Sequence, residues 1–193
     1  MSTGSSTSGA PFFTERRTLR ADLITRQAWA LTFETTMTNV SGAGVAIGSP
    51  TTKGRENAGY GGLFRRGPRS FTGGRFVSAD GAAGEEVRGK RMEWPAFAGR
   101  HDETSARSLV LMVDDTTNPN HPPQWFARAE EFAWLNPAPF FSEELTVEHG
   151  ATVRIRYGVG VADADASVAP ALAHAVRQVL ARSHAPSAAG QPA

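Results

Sequence analysis

The chain has 193 residues, a formal net charge of +1 and no cysteine. That length suits one domain with its own core, and the charge balance excludes bulk attraction to nucleic acid. The missing cysteines exclude a disulfide framework, thiolate zinc sites, iron–sulfur clusters and a cysteine nucleophile, and they fit the reducing cytoplasm where the protein is expected.

The first ten residues are rich in Ser, Thr and Gly and carry neither a basic stretch nor an apolar run, so no secretory signal is read there. Residues 1–13 are expected to be a disordered leader. Next come a short strand over 19–24 and a longer one over 29–37, close enough to form a hairpin. In the second, Trp29, Leu31, Phe33, Thr35 and Met37 share one face. Weaker strand patterns lie at 75–79, 109–113, 125–129 and 143–147. Val153, Ile155, Tyr157, Val159 and Val161 alternate with Arg154, Arg156, Gly158 and Gly160 in a clear late strand. One core is expected to gather Trp29, Leu31, Phe33, Val153, Ile155 and Tyr157.

A single helix is predicted over 167–182, with Ser167 as cap and an apolar stripe of Leu172, Val176, Val179 and Leu180. Residues 183–193 are expected to be a disordered tail. The fold class is therefore all-β, mainly an antiparallel β-sandwich over 14–182, with one C-terminal α-helix. The longest apolar run, 109–113, is far short of the ~20 residues of a membrane helix, so no membrane partner is expected.

Between Ser49 and Gly74 alternation stops, and the chain becomes Gly-rich and basic. A long irregular segment of this kind is often functional. Its stretch 48–64, GSPTTKGRENAGYGGLF, resembles the signature of the PmoA-like family, whose usual label is methane oxygenase. Residues 67–69, 118–126, 139–144 and 157–163 fit the same pattern, so the resemblance runs from about Thr14 to Asp163. It implies a galactose-mutarotase-like sandwich whose cleft handles sugars. It also implies a longer protein with an upstream segment rich in His and aromatic residues, of which this chain would be the carboxy-terminal part. Sheet edges left uncovered by that loss are expected to favour a homo-oligomer.

Two residues are candidates for acid–base chemistry. Glu143, placed with Leu145 and Val147 on the inward face of its strand, would have reason to be perturbed and could act as base. The competing reading is a strand-end Glu paired with an Arg. His121, held among Asn118, Pro119, Asn120, Pro122 and Pro123, could act as acid, or could simply bond to its own turn. Asn57, Tyr60, Arg65, Arg69, Trp125 and Arg128 are candidate substrate-binding residues, because sugars offer an apolar face and a ring of hydroxyls. Trp125 is read as core about twice as readily as ligand platform.

No His-x-His or His-Glu-x-x-His occurs, so no metal and no cofactor are expected. Residues 84–90 have P-loop spacing, but Arg91 stands where Ser or Thr should follow, and Glu85 and Glu86 would repel phosphates. The expected function is action on, or binding of, a small carbohydrate or sugar acid through Glu/His chemistry. The alternatives are a non-catalytic carbohydrate-binding module and the metal-dependent oxygenase of the family label.

Overall fold

The computed structural model describes residues 2–5, 9–130 and 132–182. The expected tail at 183–193 lies outside them. The strands are β1 (Ser2–Ser5), β2 (Pro11–Thr25), β3 (Ala28–Asn39), β4 (Val45–Ile47), β5 (Arg65–Arg66) and β6 (Arg75–Ser78). They continue with β7 (Pro95–Arg100), β8 (Arg107–Asp114), β9 (Gln124–Arg128), β10 (Trp134–Ala138), β11 (Leu145–Val147) and β12 (Thr152–Ala162). One helix, α1, spans Ala169–Arg182. The leader expected at 1–13 thus holds β1 and the start of β2, whose backbones pair.

Seven strands form one antiparallel sheet in the order β1-β2-β3-β12-β8-β7-β6. A small sheet, β5-β10-β9, and a two-stranded ribbon, β11-β4, complete the β structure. The result is an antiparallel sandwich with one C-terminal helix.

Alternation along β12 explains how three layers stack. Tyr157 and Val159 pair with Phe33 and Leu31 on β3 and with Asp114 and Met112 on β8. Odd residues of β3 and β12 therefore share one face. That face meets the small sheet, where Val110, Met112, Val159, Trp125, Ala127 and Leu135 form one apolar cluster. Next to it, Phe33, Val153, Ile155 and Tyr157 pack with Val147 and Phe140.

The opposite face carries Gly158 and Gly160, and α1 lies directly on it. A Cβ at Gly158 would sit 2.4 Å from Val176, and one at Gly160 would sit 2.8 Å from the same side chain. These glycines let the helix approach the sheet. The predicted stripe of Leu172, Val176, Val179 and Leu180 is buried in that contact, each side chain contributing about 1.5–3 kcal/mol of hydrophobic stabilisation. Capping falls to Asp165 rather than Ser167: its carboxylate accepts from the Ser167 N–H at 2.8 Å, at the start of a 3-10 turn leading into α1.

The expected core needs correction at one end. Phe33, Val153, Ile155 and Tyr157 do share a cluster, but Leu31 packs against its neighbour and Trp29 is 41% exposed. The β2–β3 hairpin carries Leu19, Leu23 and Trp29 exposed near its turn, so alternation there does not mark a buried face. Leu23→Ser, at a side chain 78% exposed, is accordingly expected to change stability by no more than about 0.5 kcal/mol in urea denaturation.

Candidate functional site

Strand β9 turns two faces to different surroundings. Trp125 points inward, is fully buried, and donates its indole N–H to the Met92 carbonyl at 2.8 Å. Trp125 is therefore core rather than a ligand platform. Phe126 and Arg128, one residue out of phase, fall on the outer face of the small sheet. There Phe126 meets Trp134 of β10 at 6.0 Å and Tyr60 edge-on at 5.3 Å.

The Gly-rich segment is strapped over this face by one buried side chain. Asn136 of β10 has no solvent exposure. Its Nδ2 donates to the Gly61 carbonyl at 2.9 Å and the Leu63 carbonyl at 2.6 Å, while its Oδ1 accepts from the Gly61 N–H at 3.1 Å. Upstream, Ser49 Oγ donates to the Phe141 carbonyl at 2.8 Å and Thr51 Oγ1 accepts from the Ala58 N–H at 2.9 Å. The strap passes so close that a Cβ at Gly59 would stand 2.1 Å from the Phe141 ring. Asn57, at φ 51°, takes the left-handed turn conformation that Asn tolerates.

Between strap and sheet lies a cavity of about 480 Å³. Among the described residues its wall holds Tyr60, Phe64, Phe126 and Trp134, three arginines (Arg55, Arg88 and Arg128), Asn57, and one carboxylate, Glu56. Arg128 lies 5.9 Å from the Trp134 ring centroid, and Arg55 Nη1 donates to Tyr60 Oη at 3.5 Å. Arg88 pairs with Glu85. Aromatic faces beside guanidinium groups can hold a flat or ring-shaped ligand that carries negative charge.

Of the expected binding residues, Asn57, Tyr60 and Arg128 converge here. Arg65 does not: its guanidinium sits 5.4 Å from Phe71 and 5.6 Å from Phe97, and Nη1 donates to the Ala133 carbonyl. Burial there lowers its pKa to about 10. Arg69 is exposed at the start of a 3-10 turn, away from the cavity wall. Phe126 was readable from the period-two pattern once Trp125 is assigned inward. Arg88 sits in the stretch with P-loop spacing, which folds as a 3-10 turn.

The expected catalytic pair is placed differently. Glu143 lies in a bend two residues before β11, with its side chain 67% exposed and Arg91 at 3.6 Å. The burial on which its role as base rested is absent. Arg91 also donates to the Asn120 and Pro122 carbonyls, so it links Glu143 to the backbone on either side of His121. His121 instead holds Asp114: its Nδ1 lies 2.6 Å from Asp114 Oδ2. Asp114 is the last residue of β8, and its side chain is 1% exposed. Burial raises its pKa to about 6, although bonds from Asn118 and His121 favour the charged form.

This dyad borders a separate cavity of about 400 Å³, also lined by Glu93, Asp115, Thr116 and Arg177. It shares no wall residue with the aromatic cavity. Among the described residues, no three of His, Asp or Glu stand close enough to hold a metal ion, and no helix is long and apolar enough to cross a membrane.

Fold and site together define an antiparallel β-sandwich with an aromatic–arginine cavity on its outer sheet. The chain belongs to a family of unknown function (DUF6807), whose model matches residues 4–175. No curated protein and no solved structure matches it. The PmoA-like assignment is thereby corrected, because the signature at 48–64 falls within a span claimed by the family of unknown function. With it goes the support for the oxygenase label. The mutarotase analogy likewise finds no matching structure.

Proposed function

We propose that the chain binds a sugar acid in the cavity between the Gly-rich strap and the small sheet. The observation that carries this reading is the gathering of four aromatic rings and three arginines around about 480 Å³, with Glu56 the one carboxylate in the wall among the described residues. The apolar face of a pyranose would stack on Trp134 or Phe126, and its carboxylate would take a guanidinium fork from Arg128. Binding without catalysis is favoured by the placement of the dyad. His121 and Asp114 border another cavity, and Glu143 is solvent-exposed.

Titration of the chain with galacturonate and glucuronate, followed in ¹H–¹⁵N spectra, is expected to shift the amides of the strap and of β9. Galactose and glucose, lacking the charge, should bind about tenfold more weakly, as expected for one charge-assisted hydrogen bond lost. Arg128→Ala and Trp134→Ala should each weaken the acids by a similar factor. Glu143→Gln and His121→Ala should leave them unchanged. The reverse pattern, with His121 or Glu143 required and Arg128 dispensable, would overturn the proposal.

A further inference from the structure

On the helix side of the large sheet, at its β6–β8 end, lies a cavity of about 650 Å³ bordered by Arg75, Arg100, Arg107, Asp165 and Ser167. The strand register explains why three arginines meet there. Arg100 and Arg107 are directly opposed across β7 and β8, and Arg75 is opposed to Ala98 across β6 and β7. Residues 98 and 100 are two apart on β7, so all three guanidinium groups leave the same face. Like charges directly opposed on neighbouring strands destabilise a sheet.

Among the described residues little offsets that repulsion. Asp165 Oδ2 lies 3.9 Å from Arg107 Nη1, at the limit of an ion pair. Its Oδ1 is engaged by the Ser167 N–H and hydroxyl, which together hold its pKa below the usual carboxylate value. Asp102 and Glu103, on the connection between β7 and β8, make no ion pair with these arginines among the described residues. Arg100 is oriented by donating to Ser105 Oγ at 2.6 Å. The side chain of Arg75 makes neither hydrogen bond nor ion pair among the described residues.

We infer that this cavity binds a tetrahedral oxyanion group, phosphate or sulfate, carried by a small molecule. Guanidinium forks match the paired oxygens of such a group, and three of them suit a doubly charged anion with oxygens on every side. A planar, singly charged carboxylate would leave part of that donor set unused. None of the wall residues belongs to the aromatic cavity, so the two sites fail or stand independently.

The test titrates the full chain with inorganic phosphate, inorganic sulfate and pyrophosphate at constant ionic strength, with chloride as control, in ¹H–¹⁵N spectra. Saturable shifts are expected at the amides of Gly74, Arg100, Ala166 and Ser167. Arg100→Ala and Arg107→Ala should each weaken binding about tenfold. Asp165→Asn, which keeps an acceptor for Ser167 but removes the charge, should tighten it several-fold. Equal affinity for phosphate and sulfate would support a general oxyanion site, and a clear gain with pyrophosphate would assign a phosphoryl ligand. Shifts that chloride reproduces, or affinities that the two Arg→Ala variants leave unchanged, would overturn the inference. Melting of the anion-free protein gives a second check. Arg107→Ala relieves the opposed pair, so it should melt no lower than the parent; a fall of several degrees would show the arginine to be structural and sink the proposal.

Discussion

Arg156→Ala is expected to lower the stability of the chain by about 3–5 kcal/mol, the range seen when one partner of a buried ion pair is removed. Arg156 is fully buried on the helix-facing side of β12. Its Nη1 lies 2.6 Å from Asp115 Oδ2, and that carboxylate is itself nearly inaccessible. Nη2 donates to the Leu180 carbonyl at 3.3 Å, in the last turn of α1, where positive charge is favoured by the helix dipole. Nε stands 3.1 Å from Glu34 Oε2, a charge contact without the alignment of a hydrogen bond. Truncation would leave Asp115 charged and buried beneath the helix.

Urea denaturation measures the loss, and a double-mutant cycle with Asp115→Ala isolates the pair. A coupling of roughly 1–3 kcal/mol is expected for groups in one network. A single-variant loss under about 1 kcal/mol would mean that water reaches the pair and that the helix does not depend on it.

The same strand shows how much of this fold could be read in advance. The pattern of Tyr157 and Val159 against Gly158 and Gly160 marks two different faces, and the structure gives one to the sandwich core and the other to α1. The helix stripe was equally plain. By contrast, β7 and β10 contain Pro95, Gly99, Asn136 and Pro137, residues that local propensity reads as breakers. They are strands because neighbouring strands pair with them, which is tertiary information. Asn136 looks like a turn residue and is in fact the clamp on the Gly-rich strap.

The site was partly legible for similar reasons. The basic, Gly-rich character of the strap pointed to Asn57 and Tyr60. Arg128 entered as a neighbour of Trp125 and lies in the cavity although Trp125 does not. Glu143 was misplaced because β11 begins only at Leu145, so alternation gives its side chain no defined face. Asp114 was missed altogether. The apolar run 109–113 stops one residue short of it, and nothing local shows that Tyr157 is its cross-strand partner or that His121 folds back onto it.

That missed carboxyl sets the direction of an expected pH response. An acid whose pKa is raised on folding, here from 3.8 to about 6, binds its proton more tightly in the folded chain. Its contribution to stability is complete below about pH 4 and is lost as the pH rises through 6. Two pKa units correspond to about 3 kcal/mol. The carboxyls of Glu15, Glu34, Asp80 and Asp165 are shifted the other way, so their contributions fade only as the pH falls toward and below 4. The window between 4 and 7 is therefore best read as a difference between the parent and Asp114→Asn. Asparagine can still accept from Asn118 and donate to the His121 ring, and it has no charge to bury. In urea denaturation at pH 4.5, 5.5, 6.5 and 7.5, the stability of the parent relative to Asp114→Asn should decline by about 2 kcal/mol across the series, nearly all of it below pH 6.5. Desolvation, the largest influence on Asp114, opposes its charged form, whereas an imidazolium on His121 would favour it. A difference that stays flat with pH would show that His121 balances the buried carboxylate at every pH. The dyad would then be a fixed ion pair beneath its cavity, with no proton to exchange near neutrality.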